Sequence, residues 1–314
     1  MEKLVLPFSK IRKNDAKIAG GKGASLGEMT QAKIPVPPGF VVLAQAADHF
    51  LKESQLDQKS VDLLTKLNPK SINSVNQVSR KIRSFITKVP FPKETEEVIL
   101  SEFSQLKTKY VAVRSSATAE DSKSASWAGE LETYLFVDKK NLIKKVQQCW
   151  SSLFTPRAIA YRFEKKLSKK DISVAVVVQK MVDAEVAGIT FTVHPVSKDK
   201  NQMVIEAGWG LGEAIVGGQV TPDTYIIDKK NNYLVDINIS EQTIKLVRAA
   251  GHGLKEIKVS KTDQTKQKLN GKKIIELAQI CQQIEKHYKF PQDIEWAYTK
   301  GKFYITQSRP ITTL

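Results

Sequence analysis

Cysteine is scarce in this sequence, with two residues, Cys149 and Cys281, in 314. Two thiols cannot build a disulfide framework, and neither has the partner spacing of a metal ligand, so both are expected to be inert core or helix residues. Long apolar runs are missing as well. Stretches such as Val174 to Val178 are far too short to cross a bilayer, and the opening "MEKLVLPFSKIRK" has no apolar leader core, so a cytoplasmic chain is expected. Histidine is sparse too: His49, His194, His252 and His287 share no metal or triad spacing with nearby Cys, Asp or Glu and are expected to be structural or exposed. Acidic charge is in deficit, with 33 Asp plus Glu against 49 Lys plus Arg and a net charge of +16. That excess favours a polyanionic partner, a nucleotide triphosphate or a nucleic acid. It is mostly scattered lysine. Clusters such as Lys139/Lys140/Lys144/Lys145 and Lys165/Lys166/Lys169/Lys170 fall at helical spacing, as solvated helix faces do, and no aromatic-interleaved basic strand accompanies them, which weighs against nucleic acid.

What is present is a chain with 41% apolar residues, long enough for a large core and for two lobes. The first part reads as α/β: a short strand at Leu4 to Phe8, a helix opening in "AGGKGASLGEMTQAK", "VPPGFVVL" extended, "AQAADHFLKES" helical, and helical spacing again at Val75 to Thr87 and Glu94 to Leu106. A strand at 110–115, a small-residue loop, a strand at Tyr134 to Val137 and two helical stretches follow. The second part is richer in strands, "ISVAVVVQKMV", "EVAGITFTV", "NQMVIEAGWG", "TPDTYIIDKK" and "YLVDINI", before one long helix at Lys272 to Tyr288 and a final hairpin, "DIEWAYTKGKFYITQSRP". The seam falls near Gln179 to Asp183, dividing the chain into lobes 1–180 and 181–314.

Two glycine motifs are excluded first. In "GGKGAS" Gly23 follows Lys22, where a P-loop needs G-x-x-x-x-G-K-[ST]; in "GWGLGE" Glu213 stands where a dinucleotide fingerprint needs its third glycine. Small residues at a helix start still let backbone amides approach an anion, with Lys22 as a point charge; a glycine-rich start with a solvent-facing lysine is the equal alternative. Arg114 ends an alternating apolar strand, where a buried guanidinium needs an anionic partner. Its planar fork suits phosphate, while an ion pair with Glu120 or Asp121 is the structural alternative. The loop after Arg114, Ser115 to Gly129, has the small residues of a flap able to close over phosphates.

The terminal hairpin holds Glu295, Gln307 and Arg309. A carboxylate and an amide oxygen on neighbouring strands form the sparse hard-oxygen site that Mg²⁺ uses when substrate phosphates complete its shell. Register decides: a two-residue Lys300-Gly301 turn would pair Thr299 with Lys302 and put Glu295 and Gln307 on opposite faces. A three-residue loop, Thr299-Lys300-Gly301, puts them on one face, and this loop is expected.

Together "GGKGASLGEM", "VAVRSSATAEDSKSASWAGELETYL", "VVVQKMVDAEVAGITFTVHP", "IEAGWGLGEAIVGGQVTPD" and "IEWAYTKGKFYITQSRPI", in this order along the whole chain, resemble the N-terminal ATP-binding domain of the phosphoenolpyruvate synthase (pyruvate, water dikinase) and pyruvate phosphate dikinase family, which rifampin phosphotransferases share. The resemblance implies an α/β (α+β), ATP-grasp-like fold of two lobes with the nucleotide in the cleft between them. It assigns Lys22 and Arg114 to the ATP phosphates, Ser126, Trp127, Ala128 and Gly129 to the flap, and Thr133 to a phosphate oxygen. Gln179, Met181 and Val182 match the adenine segment and Glu185 the ribose contact; Glu295 and Gln307 match the magnesium ligands; Arg309 matches the arginine that stabilises charge on the transferring phosphates. The family passes phosphate to a histidine in a Thr-Ser-x-Gly/Ala type motif on a swivelling domain and then to pyruvate on a third. No histidine here lies in such a motif, and both later domains are expected from another chain or segment. The expected activity is therefore an Mg-dependent kinase-type phosphotransferase of the pyruvate, water dikinase kind, incomplete as a single chain; the rifampin branch and a non-catalytic ATP-binding module are its alternatives.

Overall fold

β-Branched runs punctuated by Gly, Pro and Asp build the first sheet. In the computed structural model, which describes residues 3–118, 131–165, 172–251 and 253–312, β1 (Val5–Pro7), β2 (Gly39–Val42), β3 (Val111–Ala117), β4 (Thr133–Val137) and β5 (Val174–Lys180) lie in the order β1-β2-β5-β3-β4, every neighbour antiparallel. Helices α1 (Ala16–Gln31), α2 (Ala44–Glu53), α3 (Leu56–Thr65), α4 (Ile72–Lys88), α5 (Lys93–Gln105), α6 (Lys139–Ser151) and α7 (Pro156–Glu164) connect them. Side-chain caps start three of these, Ser71 for α4, Asp138 for α6 and Thr155 for α7, the last followed by proline at the first helical position.

Alternation gives the sheet two unlike faces. Val111, Val113 and Ala117 of β3 and Val174, Val176 and Val178 of β5 enter one large core with Phe50, Ile82 and Trp150. Trp150 stacks on Phe91 with ring centroids 4.8 Å apart. The other face carries Ala112, Arg114 and Ser116, and the glycine-rich stretch of α1 lies against it: a Cβ on Gly23 would meet the Val41 side chain at 3.1 Å.

The second sheet takes β6 (Val186–Phe191), β7 (Gln202–Trp209), β8 (Asp223–Asp228), β9 (Tyr233–Asn238), β12 (Gln292–Thr299) and β13 (Lys302–Pro310), in the order β13-β12-β6-β7-β8-β9 and again antiparallel throughout. Between β7 and β8 comes the short α8 (Glu213–Val216), and β10 (Ile244–Arg248) pairs with β11 (Leu254–Lys258) in a separate ribbon. Helix α9 (Gly271–Tyr288), capped by Asn270, buries Ile274, Leu277, Ala278, Cys281 and Ile284. The aspartate of "TPD" is structural. Asp223 accepts from Lys268 Nζ (2.8 Å), the Lys268 and Ser240 amides (2.9 and 3.0 Å) and the Tyr225 hydroxyl (2.7 Å), a fully buried ion pair with its lone pairs satisfied.

Antiparallel sheets with helices make this an α+β fold. The chain divides into two compact units, residues 1–28 with 38–181 and residues 29–37 with 182–314. Residues 29–37 join the second through the Ile305 amide, which donates to the Pro35 carbonyl (2.9 Å). Both cysteines are buried, and burial pushes their thiols up to about 12, which keeps them unreactive. Among the described residues no helix is long and apolar enough to cross a membrane.

Candidate functional site

In the first unit, α1 is broken at Gly20, whose φ of 68° and ψ of 170° are not helical, so the helix restarts at Gly21 with Lys22 in its first turn. The break is held by Ser116 of β3: the Gly23 amide donates to its hydroxyl (3.2 Å), and the hydroxyl donates to the Ala19 carbonyl (3.1 Å). Ser116 thus does for this helix what an N-cap side chain does, from 96 residues away counted to Gly20 (116 minus 20). Only glycine fits at position 20, because its φ is left-handed and a Cβ would fall onto the Ser116 hydroxyl and carbonyl. The glycine-rich start and the "RSS" strand are therefore one assembly.

Arg114, 9% exposed, sits on the same face as Ser116. Its cross-strand neighbours are Val177 of β5 and Thr133 of β4. Thr133 stands opposite it only because β4 is bulged: the register shifts between Val111 and Val113, and Phe136 takes a left-handed φ of 52°. Gln179, 2% exposed, pairs with Ala112 and so shares the Arg114 face. Met181 follows at the end of β5, half-buried, with its amide donating to the Tyr110 carbonyl (3.1 Å), so that amide is already engaged in the sheet. Ser115 and Ser116 depart from expectation. They belong to β3, not to the loop; Ser115 is buried, with the Ser152 hydroxyl donating to its own at 2.9 Å, and small residues here allow helices to approach both faces. Ser126, Trp127, Ala128 and Gly129, together with Glu120, Asp121 and His252, lie outside the described residues.

In the second unit the terminal hairpin corrects one expectation and keeps its consequence. The turn has two residues, Lys300 (φ 49°) and Gly301 (φ 78°), the left-handed pair of a type I′ turn, and Thr299 pairs with Lys302. Lysine is unfavourable there, but Glu185 holds the turn, accepting from the Lys300 amide (2.9 Å) and the Thr299 hydroxyl (3.3 Å). A bulge between Trp296↔Ile305 and Glu295↔Gln307 then adds one residue, Thr306, to β13. Without it Gln307 would sit opposite Ile294 and enter the core; with it Glu295 and Gln307 are directly opposed and share a face.

That face holds more acid than sequence spacing suggested. Asp293 is opposite Arg309, whose Nε and Nη2 both reach Asp293 Oδ2 (2.8 and 2.7 Å). Glu206 of β7 lies in one cross-strand row with Ile189, Glu295 and Gln307. Burial raises the Asp293 pKa; the Arg309 charge opposes that rise and the Glu295 charge adds to it. Burial, then the Asp293 charge, raises that of Glu206. Asp293 was legible as the residue two before Glu295 on an alternating strand. Glu206 had no signal beyond its place in "MVIEAGW". Among the described residues no cluster of three or more Asp, Glu, His or Cys could hold a metal ion. Val182, half-buried, begins the longer segment of the second unit. His194 is structural: its Nδ1 accepts from the Val196 and Ser197 amides (3.3 and 3.1 Å).

The chain matches, over residues 16–314, the family described as "Pyruvate phosphate dikinase, AMP/ATP-binding domain". It is 46% identical over 319 residues to a protein of Methanocaldococcus jannaschii named probable phosphoenolpyruvate synthase, an alignment covering 99% of this chain and 27% of that protein. A protein of the same name from Methanothermobacter thermautotrophicus is 43% identical over 321 residues, with 100% of this chain and 47% of that one covered. The rifampicin phosphotransferase of Bacillus subtilis is 36% identical over 317 residues, covering 100% of this chain and 36% of its own. The chain thus spans less than half the length of each of these relatives.

Proposed function

This chain belongs to the pyruvate phosphate dikinase AMP/ATP-binding domain family, and on that premise we propose that it binds ATP with Mg²⁺ and passes phosphate to a histidine borne by another domain or chain. The supporting observation is the pairing of Arg114, buried, with Thr133 on the sheet face that carries the Lys22 helix start. A guanidinium fork, a hydroxyl and an ammonium at a helix start are complementary to a polyphosphate. In this reading Lys22, Arg114 and Thr133 hold phosphate oxygens, with Ser126, Trp127, Ala128 and Gly129 proposed beside them; Gln179, Met181 and Val182 take the adenine; and Glu185 serves the ribose while its Oε1 clips the hairpin turn.

Glu295 and Gln307, opposed on one face, are the proposed Mg²⁺ ligands, and the donor set fits: hard oxygens, too few to enclose the ion, with the further carboxylates of Glu206 and Asp293 on the same face. When bound, the ion neutralises charge on the phosphate oxygens. Arg309 then contributes charge stabilisation as the bond between phosphorus and the leaving phosphate oxygen breaks. The attacking group is a neutral imidazole nitrogen, which takes the β,γ-pyrophosphoryl group as AMP leaves with the electron pair; water then takes the γ-phosphate away as inorganic phosphate and leaves one phosphoryl group on the histidine.

Pyruvate is the proposed final acceptor, since relatives at 46% and 43% identity carry the phosphoenolpyruvate synthase name. The rifamycin acceptor is the second reading, supported by full-length coverage of this chain in the rifampicin phosphotransferase match. The test mixes the chain with the part of the M. jannaschii relative that this chain does not cover, in which the accepting histidine is expected, and with ATP radiolabelled at its β-phosphate. Acid-labile, base-stable label on that histidine, made over to phosphoenolpyruvate when pyruvate is added, supports the reading; absence of label from the histidine contradicts it.

A further inference from the structure

Thr133 faces Arg114 only in the bulged register of β4, and the residues that hold that register lie on the opposite face of the sheet. Continued without a bulge from Val111↔Val137, β4 would pair Arg114 with Tyr134 and Ser115 with Thr133, turning Thr133 into the helix-covered core. The bulge requires Phe136 to remain left-handed at φ 52°, which an aromatic side chain does only when its surroundings hold it.

Phe136 packs edge-on against Tyr110 on one side of the bulge, and Glu132 fixes the register on the other, where Thr133 lies. The Glu132 main-chain carbonyl accepts from the Ser115 amide (3.0 Å), next to Arg114 in the chain. Its carboxylate is divided: Oε1 accepts from Arg83 Nη2 of α4 (2.6 Å), and Oε2 accepts from the Tyr134 hydroxyl (2.6 Å). Arg83 is itself fixed by its Nε donating to Ser151 Oγ (3.3 Å), and Lys145 Nζ of α6 sits 4.1 Å from the centre of the Tyr134 ring. Glu132 and Tyr134 therefore bind the helices on one face, and Thr133, between them, is turned to the other. The Arg83–Glu132 pair is less than one-third exposed on either side, so solvent does not screen it away.

We propose that Glu132 is a positioning residue for nucleotide binding: clamped by Arg83 and Tyr134, it fixes the bulged register that presents the Thr133 hydroxyl beside Arg114. This inference rests on the phosphate role given above to Arg114 and Thr133. A structural latch alone would change stability and leave affinity untouched, so the test is a double-mutant cycle read by calorimetry with ATP and Mg²⁺, with melting temperature measured in parallel. Thr133→Val and Glu132→Gln are each expected to weaken ATP about tenfold, the loss of one hydrogen bond to a charged group. The double variant is expected to bind no more weakly than Thr133→Val alone, while Glu132→Gln lowers the melting temperature equally in both backgrounds. If Glu132→Gln does not fold, Arg83→Lys, which keeps the charge and loses the fork, replaces it in the same cycle. The proposal is overturned if the folded Glu132 or Arg83 variant binds ATP as the wild type does, if its effect persists in full in the Thr133→Val background, or if Thr133→Val binds normally. Failure of the wild type itself to bind ATP is a separate result, and it removes the parent reading instead.

Discussion

Glu295 stands directly opposite Gln307 although the Lys300-Gly301 turn sets a register that would bury Gln307 opposite Ile294; one extra residue in β13, Thr306, makes up the difference. The extra residue in β4 does the same for Thr133 and Arg114. Each unit thus aligns a proposed site pair with a bulge, a device that re-aims side chains without disturbing the strand's ends. For the hairpin the consequence is specific. Gln307→Ala should remove most of the Mg²⁺-dependent gain in ATP affinity, roughly tenfold or more, with little change in melting temperature, since the amide oxygen is replaced on a face that does not build the core. Titration of ATP with and without Mg²⁺ checks it; an undiminished Mg²⁺ effect argues against Gln307 as a ligand.

Gly20→Ala is expected to destabilise the first unit by about 2 kcal/mol or more, because a side chain at a left-handed φ must also push Ser116 aside. Ser116→Ala should cost about 1 to 2 kcal/mol by leaving the Gly23 amide and the Ala19 carbonyl without that hydroxyl. Denaturant unfolding followed by circular dichroism reads both; equal stability of Gly20→Ala and wild type would mean that the break in α1 is not required.

Arg309→Ala should leave ATP affinity nearly intact while removing ATP cleavage, as expected of a group whose contribution is to the transition state. The Asp293 contact adds a second consequence: with the guanidinium gone, burial and Glu295 are left to raise the Asp293 pKa further. Equal loss of binding and turnover would make Arg309 a binding residue instead.

Glu206 gives a pH dependence with a definite sign. Burial and Asp293 hold its folded pKa above the ordinary carboxylate value, so its contribution to stability is full in acid and is lost as pH rises through that folded pKa. Glu206→Gln removes the loss. The variant should melt above the wild type at about pH 7.5, and the gap should close toward about pH 4. A gap that widens in acid would show that the carboxylate is stabilised, not strained, by its surroundings.

Much of this fold was legible in sequence because pattern and packing agree. Helical spacing located α4 and α5, and the unbroken Val174–Val178 run formed a strand buried along its length. The misses have separate physical causes. Helix α3 and the β10–β11 ribbon are short and half-exposed, so no apolar period marks them. The shared face of Glu295 and Gln307 was expected, but from a three-residue loop, because the bulges at Thr306 and Phe136 change side-chain parity without leaving a motif. The Ser116 cap and the joining of residues 29–37 to the second unit are long-range contacts, invisible to any window along the chain. Asp293 was within reach, since it alternates with Glu295, but its pairing with Arg309 depends on the bulged register.

Whether this chain is a nucleotide-binding domain is decided by calorimetric titration of ATP and Mg²⁺ into the wild-type chain and into Lys22→Ala, Arg114→Ala and Glu295→Ala. Saturable binding that needs Mg²⁺, tolerates salt and is weakened in all three variants is the predicted result. A wild type that binds no nucleotide, or binding that is equal in all four proteins, would contradict it.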